Sequence, residues 1–482
     1  MKVGSIDLAI VVAYVAAVTL FGLWAGRGAR SLAEYSAAGR NLPWWVVMAS
    51  IVATETSTVT FLSIPGFAFG RDLTWLQIAL GFAVGRILVA LWMLPQYFRG
   101  SFLTSYEVLA RRFGGSTQQA ASLLFVVTRT LADGIRLFLT SLVLHEMTGL
   151  PIPLAVTGVG LVMIVYTYVG GVKAVIWTEF VQFGIYIGGA ILAFHLLLQR
   201  LPGGFAAMLS QADEAGKLRS FDFTLDPSEP YAFWAGLLGG IFVTFGSHGV
   251  DQLMVQRYFC ARNLGDARKA VVVGGFVVLV QFAFFLLIGT ALWAFYQANP
   301  LPAEAGAIAG NDRIFARFIL DELPAGVVGL LLGAIFAAAM SSSLNACATA
   351  AVRDLHRPWA GDLMSPAREL QLTRWLTFAF GAAQIAVGIG AQWLRSSVVA
   401  SVLGIAAFTT GIVLGVFFLG MYARRVGQRA ALLGLLAGLA AMTAIYFATA
   451  LAWPWYALAG SGITFAAGWA ASFAWPRESP AR

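Results

Sequence analysis

Two short stretches of the sequence combine hydroxyls, carboxylates and helix-breaking residues within otherwise apolar runs. The first reads ATETSTVT from Ala53 to Thr60 and is followed by Pro65, and the second reads GSHGVDQ from Gly246 to Gln252. Polar side chains at membrane depth are tolerated only where they face protein or a water-filled cavity. A broken helix also frees main-chain carbonyls and amides to bind ions and solutes. The two stretches together therefore predict a central binding site for a cation and a solute.

Close packing offers a simpler interpretation of the same stretches. Serine and threonine hydroxyls can bond back to their own helix, and glycine lets neighbouring helices approach closely. This explanation accounts for any single residue as well as a binding site does. It accounts less well for the two stretches together, because Glu55 and Asp251 are included and carboxylates inside a membrane are costly and usually functional.

The sequence carries no recognisable catalytic motif. It has no glycine-rich phosphate loop or nucleophile elbow, and His145, His195 and His248 form no ligand cluster. Cys260 and Cys347 are the only cysteines, so a disulfide framework is not expected. We therefore expect no enzyme activity.

The composition is that of an integral membrane protein. Of 482 residues, 59% are hydrophobic and 11% are charged, with a mean hydropathy of +0.79. A soluble chain could not bury so much apolar surface, and apolar runs of roughly 20 residues recur along the whole length. We predict an all-α polytopic membrane protein with thirteen transmembrane helices. The predicted spans are 5–26, 43–69, 73–98, 119–147, 152–169, 173–198, 231–250, 270–296, 325–351, 371–394, 397–421, 428–449 and 453–475.

Positive charges set the expected orientation. With the N-terminus outside, most of the 31 Lys and Arg residues fall in cytoplasmic segments, as the positive-inside rule requires. An odd number of spans then puts the C-terminus in the cytoplasm, and we expect location in the plasma (cell inner) membrane. This bias accounts for the net charge of +8, so no nucleic-acid partner is needed to explain it.

The order of the spans predicts an inverted repeat. Blocks 43–198 and 231–421 hold five spans each, and an external loop at 199–230 puts the start of the second block on the opposite side of the membrane. Residues 1–42 supply an extra span and a cytoplasmic linker. Residues 422–482 supply two peripheral spans and a short cytoplasmic tail. The two polar interruptions lie in the first span of each block.

Four motifs, in this order, resemble those of the sodium:solute symporter family. They are EYSAAGRNLPWW (34–45), YTYVGGVKAVIWTEFVQ (166–182), DQLMVQRY (251–258) and FAAAMSS (336–342) leading to Asp354. The resemblance covers nearly the whole chain. It implies a LeuT-like five-plus-five inverted repeat, with one extra helix before it and two after, and sodium-coupled import of a small organic solute by alternating access.

The resemblance also implies a sodium site. In the family, two carbonyls from the broken first core helix meet a carbonyl and two adjacent hydroxyls from the eighth. Matched motif to motif, these ligands fall on Ala53, Thr56, Ala338, Ser341 and Ser342. Without the resemblance, the last three residues would be interpreted as a small-residue packing seam.

A second sodium site is suggested by Glu179, which matches an acid that some family members use. The chain is about three residues shorter than the family spacing between Ser342 and Leu344, so the accompanying hydroxyls cannot be assigned, and we expect one sodium. Glu179 is equally well explained as a cytoplasmic gate residue paired with Lys173 or another base.

The solute contacts implied by the resemblance leave the substrate open. Positions that match Ser57, Thr60, Asp251 and Gln252 face the substrate in some members. As hydrogen-bond acceptors, the carboxylates of Glu55 and Asp251 would suit hydroxyl-rich or amine-bearing solutes. Arg136 matches a position that grips a carboxylate in sialic acid carriers, since guanidinium groups favour planar anions. Alternatively, Arg129 and Arg136 neutralise Asp133 or Glu55 internally. The candidate substrate contacts are Glu55, Ser57, Thr60, Arg136, Asp251 and Gln252.

The partners expected are therefore a sodium ion, membrane lipid and a sugar, polyol, carboxylate or similar small solute, with no obligate protein partner evident. Two other functions stay open. One is a proton-coupled or uncoupled carrier on the same fold, with Glu55, Glu179 or Asp251 titrating. The other is a solute-sensing membrane receptor, although only a short tail follows the last predicted span.

Overall fold

The computed structural model is built from helices. It describes residues 4–25, 31–56, 58–100, 102–300, 311, 314–339, 343–360, 365–393 and 398–475. Within these ranges there is no β-strand, and an isolated bridge joins Leu42 to Ala261. An all-helical fold follows from the composition, because a helix satisfies its own backbone polar groups in lipid.

The helices run in chain order from the first apolar run to the last. The α-helices are Ser5–Ala25, Leu32–Ala37, Trp44–Glu55, Thr58–Gly70, Leu76–Leu88, Leu94–Tyr97, Glu107–Phe113, Gly115–Thr148, Ile152–Gln199, Gly204–Glu214, Gly240–Thr244, Gln252–Phe259, Leu264–Ala298, Ile314–Glu322, Val327–Ala339, Leu344–Ala350, Arg357–Ala360, Pro366–Gly390, Val398–Tyr422, Gln428–Ala448 and Trp455–Ala474. π-Helical segments are Val89–Met93, Ala235–Gly239, Phe245–Val250 and Ala351–His356.

Eight of the described helices are long and apolar enough to cross a membrane, or nine if one bent pair counts as a span. The sequence predicts thirteen, and that exact count stays a prediction. Some predicted spans are shorter helices, such as Ala235–Val250. The Gly115–Thr148 helix is long enough but carries several charges, including Arg129, Asp133 and Arg136.

The first polar interruption breaks a helix, as predicted. Trp44–Glu55 and Thr60–Gly70 meet at an angle of 57°, and Thr56 between them has non-helical backbone angles. Thr56 donates its hydroxyl to the carbonyl of Val52, four residues earlier, which competes with regular helix bonding. We call Trp44–Glu55 together with Thr58–Gly70 the first broken helix.

The second polar interruption is also a break. The helical segment Ala235–Val250 ends in a π-helical turn, Asp251 is extended, and a new helix runs from Gln252 to Phe259. Two glycines lower helix propensity before the break, and the Asp251 carboxylate caps the new helix by accepting from the backbone N–H of Leu253. We call Ala235–Val250 together with Gln252–Phe259 the second broken helix.

A kink divides the longest helical segment, Ile152–Gln199. Gly171 has φ 57° and ψ −161°, a conformation that is essentially restricted to glycine. The kink lies between the predicted spans 152–169 and 173–198. A Cβ at Gly171 would lie 2.6 Å from the carbonyl oxygen of Tyr35, so the close approach of the chain also requires glycine here.

An aromatic cluster fixes the second half of the first broken helix. Phe61 is fully buried, and its ring centroid lies 4.8 Å from that of Tyr186, 5.5 Å from Phe285 and 5.0 Å from Phe315. These rings come from four different helices. Their packing holds the first broken helix at a defined position against the Leu264–Ala298 helix.

Candidate functional site

An ionic cluster joins the two broken helices. Glu55, the last helical residue before the first break, forms an ion pair with Arg86, and its other oxygen lies 2.9 Å from His248 Nε2. Arg86 and His248 are almost completely buried, whereas one fifth of the Glu55 side chain is exposed. His248 belongs to the π-helical turn that precedes the second break. The two breaks predicted from the sequence therefore face each other.

A second ionic chain leads from the second break to the Gly115–Thr148 helix. Asp251 Oδ2 lies 2.6 Å from Arg129 Nη2, and Asp133 lies 3.6 Å from Arg129 and 3.2 Å from Arg136 Nη1. Arg129 and Arg136 therefore both pair with Asp133, one of the two acids that they were predicted to neutralise. The other acid, Glu55, pairs with Arg86. Burial explains the pairing, because a charge in a low-dielectric interior needs a partner.

A small cavity of about 30 Å³ lies beside this chain, with Arg129, Asp251, Tyr106, Thr409 and Thr410 among its lining residues. Since a water needs roughly 10–15 Å³ of such space, the cavity admits only water-sized molecules. An organic solute would therefore need the surrounding helices to move apart before it could reach the ionic chain.

A hydrogen bond from a neighbouring helix stabilises the break in the first broken helix. Gln281 on the Leu264–Ala298 helix donates its amide to the Thr56 hydroxyl at 2.8 Å. Ala53 lies in the last turn of Trp44–Glu55, where helix carbonyls lack the donors of a following turn. The carbonyl end of a helix also carries partial negative charge, so this point is suited to a cation.

The other predicted solute contacts have defined places. Thr60 donates its hydroxyl to the Glu55 carbonyl across the break at 3.1 Å. Gln252 is fully buried, where its amide accepts from the N–H of Ser105 and donates to the Leu103 carbonyl. Ser57, Ser341 and Ser342 lie outside the described residues, and Ala338 lies near the end of the Val327–Ala339 helix.

Glu179 pairs with a base other than Lys173. Arg257 on the second broken helix donates to Glu179 Oε1 at 2.5 Å, and both side chains are buried. Glu179 also accepts hydrogen bonds from Ser50 and Thr54 on the first broken helix. The Glu179–Arg257 pair thus connects both broken helices to the Ile152–Gln199 segment, an arrangement that a gate residue would have.

Sequence reasoning missed the roles of Arg86 and Arg257 and left that of His248 undecided. Arg86 lies within the predicted span 73–98, where an arginine indicates a carboxylate partner, but the sequence does not show which one. Its partner is 31 residues earlier and on a different helix. Arg257 lies inside the DQLMVQRY motif, so its position in the matched motif is the one available signal.

This combination of buried ionic clusters at two facing helix breaks defines a polytopic membrane carrier. Comparison with known proteins supports this class. The model of the sodium:solute symporter family matches residues 35–438. This chain therefore belongs to the sodium:solute symporter family, which is a family of transporters and not of enzymes, and sodium is the coupled ion.

Several characterised proteins are similar over most of the chain. The human sodium/iodide cotransporter is 31% identical over 441 residues, which are 88% of this chain and 66% of that protein. The sodium/sialic acid symporter SiaT of Proteus mirabilis is 28% identical over 472 residues, covering 95% of this chain and 93% of SiaT. A solved Na⁺-coupled sialic acid symporter in a substrate-bound outward-open state has a TM-score of 0.90, 26% identity and 99% coverage of both chains.

Proposed function

We propose that this protein is a sodium-coupled symporter that imports a small organic solute by alternating access. The observation that supports this proposal most directly is the contact between Glu55 and His248, which brings the two helix breaks together in the membrane interior. Facing breaks of this kind form the substrate and ion sites of inverted-repeat transporters. The proposal includes the LeuT-like arrangement of thirteen helices, with five-span repeats at 43–198 and 231–421.

The proposed sodium site uses the carbonyls of Ala53, Thr56 and Ala338 and the hydroxyls of Ser341 and Ser342. Its support lies in the helix end at Glu55, where non-helical Thr56 removes the following turn. Sodium bound there would hold the first broken helix against the Val327–Ala339 helix and so stabilise an outward-open state. Inward opening would separate the ligands and release sodium with the solute.

A carboxylate is the substrate group that we favour. Glu55 and Asp251 already have arginine partners, which reduces their value as acceptors for a sugar or polyol. Arg136 makes one hydrogen bond to Asp133, its Nε is buried without a hydrogen-bond partner, and 30% of its side chain stays exposed. A guanidinium group in that state is suited to a planar anion. Glu55, Ser57, Thr60, Asp251 and Gln252 complete the proposed solute site.

The ion pairs also argue against a proton-coupled carrier. Each carboxylate proposed to titrate has an arginine within hydrogen-bond distance: Arg86 for Glu55, Arg257 for Glu179 and Arg129 for Asp251. We therefore propose sodium, and not protons, as the driving ion for this chain. The N-terminus would lie outside and the C-terminus in the cytoplasm of the plasma (cell inner) membrane, following the bias of Lys and Arg.

A thermal-shift screen of the purified protein tests the proposal. Small carboxylates, sugars and polyols would be added with and without sodium, and coupled ligands should raise Tm more together than the sum of their separate effects. A carboxylate that stabilises only in sodium is the expected result. A ligand that stabilises equally in sodium and in choline would contradict sodium coupling, and a sugar acting alone would contradict the assigned substrate class.

A further inference from the structure

A second cavity lies outside the proposed transport site. It has a volume of about 270 Å³, many times the space that one water needs. Its walls come from the Leu76–Tyr97 span, the loop and helix that follow it, and the C-terminal end of the Val398–Tyr422 helix. The charge bias assigns this end of the bundle to the cytoplasm.

The cavity combines basic groups with an apolar wall. Arg99, Arg111 and Arg112 line it, and no carboxylate belongs to its lining. The Arg112 guanidinium is already hydrogen-bonded within the protein, because it donates to carbonyl groups after the Val398–Tyr422 helix. Arg99 and Arg111 are exposed, and neither forms an ion pair with any described residue. The Arg111 guanidinium stacks over the Phe102 ring at 4.3 Å, which directs it without neutralising its charge.

The neighbouring acid, Glu107, interacts with Arg111 electrostatically but makes its close contacts with other groups. Glu107 lies on the same short helix as Arg111, but its carboxylate is 3.3 Å from Arg353 and also accepts from the Leu103 N–H. Two arginines at the cavity therefore stay available to an anion. Replacing them breaks no ion pair among the described residues.

Two exposed aromatic residues are neighbours in sequence of residues in the cavity wall. Trp92 is 52% exposed and precedes Met93 in the cavity wall, and Tyr422 is 61% exposed and follows Met421. Between them, Phe245 and Phe418 complete a row of rings with centroids 6.4, 5.8 and 6.0 Å apart. Tryptophan and tyrosine are enriched at the membrane–water boundary, so the exposed Trp92 and Tyr422 rings favour headgroup depth for the cavity.

We propose that this cavity binds the headgroup of an anionic phospholipid, with Arg99 and Arg111 contacting its phosphate and an acyl chain lying against the exposed Trp92 and Tyr422 rings. The committed ligand is a membrane lipid and not a soluble anion, because the charged cavity and the lipid-facing rings are adjacent. Basic pockets between helices at the cytoplasmic boundary have the chemistry that recognises such headgroups. The cavity is separate from the proposed sodium and solute sites, although Tyr97 in its wall donates its hydroxyl to the Gly249 carbonyl beside the second break.

The test measures lipid binding and needs no transport assay. The purified full chain would be titrated with phosphatidylglycerol, phosphatidylcholine or soluble glycerol 3-phosphate, with bound lipid counted by native mass spectrometry and Tm followed in parallel. Arg99→Gln with Arg111→Gln should weaken phosphatidylglycerol binding roughly 30-fold, since each basic residue near a membrane surface contributes about a factor of five. The matched control is Lys173→Gln with Lys269→Gln, which removes two exposed charges outside the cavity and should leave binding unchanged.

Each outcome decides the proposal. Preference for phosphatidylglycerol over phosphatidylcholine, lost in the arginine variant and kept in the lysine variant, supports it. Equal binding of both lipids, or equal losses in both variants, overturns it. Saturation by glycerol 3-phosphate at the same concentration as the lipid would show a soluble-anion site and also overturns it. Should the arginine variant be poorly folded, Arg111→Lys retains the charge and must retain the preference.

Discussion

Arg136 has a buried, unbonded Nε and a partly exposed guanidinium, so it should govern recognition of the solute carboxylate. We expect Arg136→Gln to weaken solute binding by at least tenfold while sodium-dependent stabilisation of the empty protein is kept. Arg136→Lys should also weaken binding, because lysine cannot form a two-point contact with a carboxylate. Isothermal titration with and without sodium measures both effects, and an unchanged solute affinity in Arg136→Gln would remove Arg136 from the site.

The buried Glu179–Arg257 pair should show strong energetic coupling. Glu179→Gln or Arg257→Met leaves a buried charge without its opposite charge, and we expect either change to lower the free energy of unfolding by about 3 kcal/mol. The double variant should cost less than the two single changes combined, because neither charge is then stranded. Unfolding in detergent measures the cycle, and strictly additive effects would show that the pair is not coupled.

Single residues show where sequence reasoning is effective and where it stops. The sequence predicts a functional role for Glu55 and Asp251 because an acid within an apolar run is energetically costly. Both lie in ionic clusters beside the breaks. The sequence did not predict which basic residues pair with them. Arg86, Arg129 and His248 pair with acids on other helices, and the hydrophobic pattern of one chain contains no information on which helix faces become neighbours.

At the scale of the element, Gly171 should be essential to the kink between the two halves of Ile152–Gln199. Gly171→Ala forces a side chain into a positive-φ conformation and against the Tyr35 carbonyl, so we expect a loss of about 2 kcal/mol or more. Gly188→Ala in the same segment is the control, because an added methyl group meets open space there. Thermal unfolding compares the two, and equal Tm values would show that the kink imposes no constraint.

Gly289 should control the position of the first broken helix. A Cβ at Gly289 would lie 2.2 Å from the Pro65 carbonyl oxygen, so Gly289→Ala must displace the Thr58–Gly70 half or the Leu264–Ala298 helix. We expect destabilisation of about 1–3 kcal/mol and weaker sodium binding. Gly274→Ala on the same helix makes ordinary contacts at 3.6 Å and should be tolerated. Sodium titration followed by Tm tests the difference, and normal sodium affinity in Gly289→Ala would contradict it.

Elements were easier to predict than their boundaries. Apolar length predicted the spans, of which eight or nine are found among the described helices, and the polar clusters with their helix breakers predicted both breaks. The count of spans was less secure, because the charges of the Gly115–Thr148 helix and the short Ala235–Val250 segment weaken the hydropathy signal. These are the helices that carry the site, so function and irregularity coincide.

At the scale of the whole molecule, the ionic contacts connect the parts that alternating access would move. The Glu55–His248 pair links the first broken helix to the second broken helix. The Glu179–Arg257 pair links the Ile152–Gln199 segment to the second broken helix. Opening on either side of the membrane should therefore exchange these contacts. A membrane potential adds about 2.3 kcal/mol per 100 mV for each sodium charge moved inward, which favours the inward over the outward direction.

The most direct test of sodium coupling is uptake of a stabilising carboxylate into sealed proteoliposomes. With an inward sodium gradient, the unmodified chain should accumulate the solute above its external concentration, and choline in place of sodium should abolish accumulation. The variant with Ser341→Ala and Ser342→Ala should fold with an unchanged Tm in sodium-free buffer but fail to accumulate solute. Accumulation that persists in this variant, or that follows a pH gradient without sodium, would contradict the account.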